Sequence, residues 1–257
     1  MWGEVPPQPA PAGDGSGAGA DAGLWSMALP AYPHEGATTE VAKVTATGLR
    51  RRMEEDTDAM DVVRRAARPR HGESEPKDAT AVARGMAHHA FMQWVDVERA
   101  GTAAELEAER ARLVAQGRMG AGEAALLDME AVGRFWDSEL GREVRRRKAG
   151  LLREETFTVR LTGADLRALG FRVAEGLDDD EFVVGQGVVD LAVVDGEGIL
   201  VADFKTDRVE RGAMTRAKAD RYRPQLAVYA LALSRIHGRP VTSRWLHFLA
   251  TGESVAV

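Results

Sequence analysis

The chain contains no cysteine, which excludes disulfides, thiolate zinc sites and iron–sulfur clusters from its chemistry. No apolar run approaches the roughly 20 residues that a membrane span requires, and no signal-peptide pattern opens the chain, so a cytoplasmic setting is expected. The phosphate-cradling loop G-x-x-x-x-G-K-[ST] is also missing, and no nucleotide-driven motor is expected in this chain. Charge of either sign is not in large excess: 34 basic against 40 acidic residues give a formal net charge of −6. Residues 1–48 hold one lysine against five acids, so the remainder is close to neutral.

What is present reads as an ordinary globular composition, with 44% hydrophobic and 29% charged residues over 257 positions, enough for one large or two small domains. Residues 1–30 are rich in Pro, Gly and Ala and read as a disordered or linker segment. Helical periodicity predicts helices over 46–68, capped by Thr45 or Thr47, then 78–99, 102–116 and 120–148, with breaks at Gly117 and Gly120. Strands are predicted near 151–161, 181–194 and 199–204, followed by a helix over 215–237 and a strand Val241–Leu249. A helix-rich N-terminal half followed by a mixed sheet is the α/β class.

The most informative segment runs from Gly187 to Lys205. Two β-branched apolar runs flank the turn Asp195-Gly196-Glu197-Gly198. They place Asp190 near the end of one strand and Asp203 and Lys205 near the end of the next. Period-2 alternation puts Asp203 and Lys205 on one face and Phe204 on the other. Two carboxylates converging at a sheet edge repel unless a hard cation lies between them, and Mg²⁺ prefers oxygen ligands. An ammonium beside that cation can orient water or neutralise a phosphate, the equipment of metal-assisted phosphodiester hydrolysis. A strand end closed by a surface salt bridge would present the same triplet.

Three further stretches bear on the choice. Gln225 and Tyr229 are four apart in an apolar helical run and share a face; a buried helix with a core tyrosine has the same pattern. His88 and His89 follow Gly85 in a helical stretch, and adjacent residues cannot share one face, so at most one of them points at the acidic site. Glu154 lies in an alternating strand pattern, as a further site carboxylate or as a solvated charge. Two basic runs complete the inventory. Arg142, Arg145, Arg146, Arg147 and Lys148 form the first. Arg208, Arg211, Arg216, Lys218, Arg221 and Arg223 form the second, which flanks the proposed site and is the better candidate for phosphate contact. Neither is interleaved with aromatics, so little sequence specificity is expected.

In order, G-x-x-x-H, R-E-x-x-F, G-x-x-D, D-x-K-T-D and Y-x-x-Q-x-x-x-Y resembles the RecB-type nuclease domain of the PD-(D/E)xK superfamily, and within it the AddA-type helicase–nucleases. The segments from Tyr32 and from Lys43 to Leu49 resemble the linker and first helix leading into that domain, so the likeness covers residues 31–257. It implies a restriction-endonuclease-like core with a central mixed sheet flanked by helices. It also implies a metal held by His89, Asp190, Asp203 and the Phe204 carbonyl, with Mg²⁺ as cofactor and Mn²⁺ as a substitute. Lys205 would be the catalytic lysine, Gln225 and Tyr229 the family pair, and Glu154 a further acidic position. His89 is chosen over His88 by the motif spacing from Gly85. Met86 departs from the family's usual Thr or Ser, and Phe204 from the commoner Tyr. The implied function is a DNA exonuclease domain acting on single strands in double-strand-break repair and recombination, with an upstream helicase region and an AddB-type partner in a bacterial cytoplasm. This chain would then be a fragment holding only the nuclease. The alternatives are a stand-alone restriction-like or phage-type exonuclease and a catalytically silent DNA-binding or docking module.

Overall fold

A computed structural model describes residues 43–46, 48–49, 79–173, 182–206 and 213–257, all within the compact unit His34–Val257. The expected linker over 1–30, most of the helix over 46–68, and Arg208 and Arg211 lie outside the described residues. At the start of that helix the Thr45 hydroxyl accepts the Gly48 N–H at 3.0 Å, as an N-cap does.

The sheet is mixed and six-stranded. Its trunk is β3 (Phe182–Asp195), paired antiparallel along its whole length with β2 (Leu151–Thr162). On its other side, β3 pairs parallel with β1 (Lys43–Thr45) in its first half and antiparallel with β4 (Gly198–Lys205) in its second. Beyond β4 lie β5 (Val241–Phe248), parallel to it, and β6 (Glu253–Ala256), antiparallel to β5. β1 and β6 were not expected: each is too short to show alternation, and only the partner strand defines it.

Before β2 come α1 (Ala79–Trp94), α2 (Ala103–Ala115), α3 (Ala121–Ala124), α4 (Met129–Asp137) and α5 (Glu139–Arg146). The single helical stretch expected over 120–148 is three helices, because two internal residues cap new starts. Asp128 accepts the Ala131 N–H at 2.9 Å and Ser138 the Gly141 N–H at 3.0 Å. After β2 stands α6 (Gly163–Ala168), closed by a Thr162–Asp165 capping box. The long α7 (Ala213–His237) follows β4 and contains Pro224, which leaves one carbonyl of the helix without its usual donor. Among the described residues no helix is long and apolar enough to cross a membrane.

The two faces of the sheet carry two apolar cores. One joins α1–α5 to Leu191, Val193, Leu200, Ala202 and Phe204. The other joins α7 to Val189, Ala192, Ile199, Val201, Leu246 and Phe248. Phe135 of α4 is the hub of the first, with ring centroids 4.9 Å from Trp136, 5.0 Å from Phe204 and 4.8 Å from His247. A fully buried aromatic of this kind contributes about 1.5–3 kcal/mol through area alone.

Two arginines of the first basic run hold the β3–β4 hairpin. Arg147 reaches both carboxylate oxygens of Asp195, at 2.7 and 2.6 Å, and the Gly198 carbonyl at 2.9 Å. Arg146 bridges Glu143 and Glu197, and Lys148 pairs with Glu98. Gly198 has φ +102, a conformation that suits glycine alone at this turn.

His247 is wholly buried; its Nδ1 pairs with the Ser254 hydroxyl at 2.9 Å and its Nε2 has no hydrogen-bond partner. Burial, with a smaller push from Arg134, lowers its pKa from 6.5 to about 3. The unfolded chain therefore binds this proton first, and stability present above pH 6.5 is lost as pH falls toward 3. His247→Asn should lose about 2 kcal/mol less than the wild type between pH 7 and pH 5, read from urea unfolding at both pH values.

Candidate metal centre

The hairpin register brings the acidic residues together. Leu191 pairs with Ala202, so Asp190 and Asp203 are the next positions facing each other across β3 and β4. There the ladder is continued by a side chain, because the Phe204 N–H donates to Asp190 Oδ2 at 2.7 Å. Asp190 is thereby oriented with its other oxygen outward.

Glu154 reaches the same place through its backbone. It lies between the ladder pairs Arg153–Leu191 and Glu155–Val189, opposite Asp190, and has φ +51. It is the single non-glycine residue with positive φ among the described residues. Leu152, Phe157, Val159 and Leu161 all pack on the α7 side, so the alternation of β2 skips a step around Glu154. Arg153 faces the other layer, where its guanidinium donates to the Val95 carbonyl at 2.6 Å at the end of α1.

His89 comes down from α1. Its Nδ1 is 3.5 Å from Asp190 Oδ1 and 3.8 Å from Glu154 Oε1, and one ligand atom from each of His89, Glu154 and Asp190 lies within 4.8 Å of the others. His88 is turned away and buried. It accepts the Asp128 N–H on Nε2 at 3.0 Å, so Nδ1 carries the proton and donates to the Arg84 carbonyl at 2.7 Å. Gly85 lies where α1 meets the end of β4: a Cβ there would stand 2.9 Å from the Thr206 hydroxyl.

Asp203 and Lys205 face the α7 layer. Asp203 is 2% exposed, with Oδ1 3.3 Å from the Gln225 amide nitrogen, which also donates to the Tyr229 hydroxyl at 2.6 Å. Lys205 Nζ is 2.5 Å from Asp203 Oδ2, off the axis of a directed hydrogen bond, so that buried oxygen accepts none. The same ammonium stands 4.4 Å above the Tyr222 ring.

Burial pushes the Asp203 carboxyl upward against the pull of Lys205. Burial acts to lower the His89 pKa, yet the contacts with Asp190 and Glu154 outweigh it and raise the imidazole to about 10. Burial, then the Asp203 charge, raises the Tyr229 phenol, which stays protonated. The donor set fits a divalent cation: a buried carboxylate oxygen without a hydrogen bond, two further carboxylates and one imidazole, a mixed O/N set suited to Mg²⁺ or Mn²⁺.

A family profile described as the PD-(D/E)XK nuclease superfamily matches residues 61–254. The chain belongs to the PD-(D/E)XK nuclease superfamily. Among curated proteins it is similar to the A subunit of the ATP-dependent helicase/nuclease of Bacillus cytotoxicus, 31% identical over 88% of this chain. The corresponding subunits of Lacticaseibacillus casei and Bacillus mycoides are 32% and 34% identical over 88% and 84% of it. In each case the chain spans 18% of the relative's length.

The structure gathers His89, Glu154, Asp190, Asp203, Lys205, Gln225 and Tyr229 around the C-terminal end of β4. It differs from the expected ligand set in grouping: Glu154, not Asp203, completes the tightest cluster with His89 and Asp190. The reason is that Lys205 and Gln225 draw Asp203 toward α7. Phe204 contributes its N–H to Asp190, and its ring packs with Phe135. Tyr222 and Arg153 stood in the Y-x-x-Q-x-x-x-Y and R-E-x-x-F motifs without a role, and nothing in the sequence says that Arg153 ties β2 to the end of α1.

Glu154 in a left-handed conformation costs about 1–2 kcal/mol, which glycine avoids. Glu154→Gly should therefore be more stable than Glu154→Ala by about 1 kcal/mol in metal-free urea unfolding, against the usual order within strands.

Proposed function

We propose that this chain is the metal-dependent nuclease domain of a helicase–nuclease and hydrolyses phosphodiester bonds of single-stranded DNA as an exonuclease in double-strand-break repair and recombination. The observation that carries the proposal is the meeting of three carboxylates, His89 and the Lys205 ammonium at one end of the sheet. Asp190, Asp203 and His89, with the Phe204 carbonyl, would hold the cation, and Glu154 would supply a further carboxylate beside His89 and Asp190. Bound there, Mg²⁺, or Mn²⁺ in its place, would supply a coordinated water of lowered pKa and positive charge for the scissile phosphate. Lys205, anchored by Asp203 and backed by the Tyr222 ring, orients that water or neutralises phosphate charge. Gln225 fixes Asp203 and is itself fixed by Tyr229. The similarity to helicase/nuclease subunits supports an upstream helicase region and a partner of the AddB type in a bacterial cytoplasm, where unwinding would supply single strands.

Purified protein should cut labelled single-stranded DNA with Mg²⁺ and not with EDTA, and faster than blunt duplex. Lys205→Ala should lose about 10²–10⁴-fold in turnover, the range for one positioned proton-transfer or charge-stabilising group. It should keep its Mn²⁺ affinity in calorimetric titration. His89→Ala should weaken Mn²⁺ binding by about tenfold or more, whereas His88→Ala should lower the melting temperature and leave the metal affinity of the folded protein unchanged. Full Mg²⁺-dependent cleavage by Asp190→Ala or Asp203→Ala would overturn the assignment.

Arg216 and Arg221 are exposed on the first turns of α7, ahead of Gln225. Phosphate contacts release counterions, with a slope of about −0.7 in log K against log salt for each phosphate neutralised on a single strand. Charge reversal at both should flatten the salt dependence of binding and weaken it equally for all sequences.

A further inference from the structure

Lys205 closes β4 with a side chain only 17% exposed, so its ammonium has given up most of its water. Among the described residues one carboxylate pairs with it, that of Asp203 at 2.5 Å, and one ring lies beneath it, that of Tyr222 with its centroid 4.4 Å away. Tyr222 is half-buried against the core on the α7 side. It precedes Gln225 by three residues and Tyr229 by seven, so the three share one face of α7. That face meets the end of β4 through the Tyr222 ring at Lys205 and the Gln225 amide at Asp203, with the Tyr229 hydroxyl behind the amide. Of these three side chains, Tyr222 is the one that faces the ammonium.

Asp203 has two demands on one carboxylate. It belongs to the donor set for a cation, and its Oδ2 is also the anion that neutralises Lys205. An Asp203 oxygen shared with a divalent cation has less charge to offer the ammonium, and the two positive charges repel each other. The Tyr222 ring is exempt from that competition. Its π-face is the negative pole of a quadrupole and attracts an ammonium, more strongly when the ammonium is desolvated. The ring face offers no ligand atom to a metal, so its hold on Lys205 does not depend on whether Asp203 is engaged.

We propose that Tyr222 is a positioning residue of the nuclease site: the π-face of its ring, and not its bulk, keeps the Lys205 ammonium in place when Asp203 is engaged by the cation. Gln225 and Tyr229 act on the carboxylate, and Tyr222 acts on the lysine. The hold is electrostatic, so the electron density of the ring sets its strength and ring size does not. This role presupposes the nuclease function proposed above, whereas the contact between ring and ammonium does not.

The test replaces Tyr222 in the full chain by phenylalanine and by mono-, di- and trifluorinated phenylalanine, introduced by nonsense suppression. Fluorine drains the π-face and barely alters the shape of the ring. With Mg²⁺ and saturating single-stranded DNA, kcat should fall stepwise along the series, by about 10-fold from Tyr222→Phe to the trifluorinated ring, with KM and melting temperature level. Tyr222→Leu, which keeps apolar volume without a π-face, should lose at least as much. A second readout needs no turnover. In metal-free protein carrying isotope-labelled lysine, the ε-methylene resonance of Lys205, assigned by its loss in Lys205→Arg, should lie upfield under the ring current. It should return to the ordinary lysine position in Tyr222→Leu, and in the wild type it should stay upfield when Mg²⁺ is added. Equal kcat across the fluorinated series would refute the role of the π-face, since packing alone would then account for Tyr222. A Lys205 resonance that leaves its upfield position on addition of Mg²⁺ would refute it as well. If the wild type cuts no DNA with Mg²⁺ or Mn²⁺, the nuclease function falls, and the Lys205 resonance still decides whether the ring holds the ammonium.

Discussion

Like charges held together against repulsion are the constraint on which this structure turns. Asp190, Asp203 and Glu154 meet at the end of one hairpin, and the protein offsets their repulsion from three sides. His89 arrives from the α1–α5 layer between Asp190 and Glu154, whose charges raise its pKa. Lys205, two residues beyond Asp203, places its ammonium at Asp203, and Gln225 donates from α7. No single element carries the site. It forms where the two helical layers meet the end of β4, and each layer contributes a group that the sheet lacks.

The opposite end of the hairpin is built to keep that arrangement in register. A slip by one residue would exchange the two faces of a strand and take Asp203 and Lys205 away from α7. Arg147 counters this from a buried position by gripping Asp195 and the Gly198 carbonyl, while Arg239 donates to the Asp195 carbonyl at 2.7 Å. The basic residues from Arg142 to Lys148, the lesser candidate for phosphate contact in the sequence, are bonded to carbonyls and carboxylates of the protein. Arg142 and Arg145, for example, donate to the Asp137 and Trp136 carbonyls.

Strain is concentrated at Glu154. With Arg153 bonded to the end of α1 and Phe157 buried under α7, β2 must change the face it presents within four residues. The positive φ of Glu154 is how the chain does so. The consequence is functional as well as geometric, since the reversal turns the Glu154 carboxylate toward His89. A regular strand would leave that side chain on one face of the sheet and the histidine out of reach.

Much of this was legible without coordinates because it is local. Alternation over 188–205 located the hairpin and separated Phe204 from Asp203 and Lys205, and spacing by four placed Gln225 and Tyr229 on one helix face. These follow from fixed backbone periods of two and 3.6 residues, which any sequence displays. Other features depended on partners distant in the chain and became visible only in the tertiary structure. β1 and β6 exist through their neighbours, and the split of 120–148 into three helices followed from caps whose competition with helix propensity is settled by packing. Which histidine faces the acids was decided by Asp128, forty residues away, which takes up His88 and leaves His89 to the site. The sequence by itself determined which ionisable groups were available and on which local face each lay. The fold decided which of them are neutralised inside the protein and which gather at the carboxylate cluster, because that depends on desolvation and on contacts that no local pattern encodes.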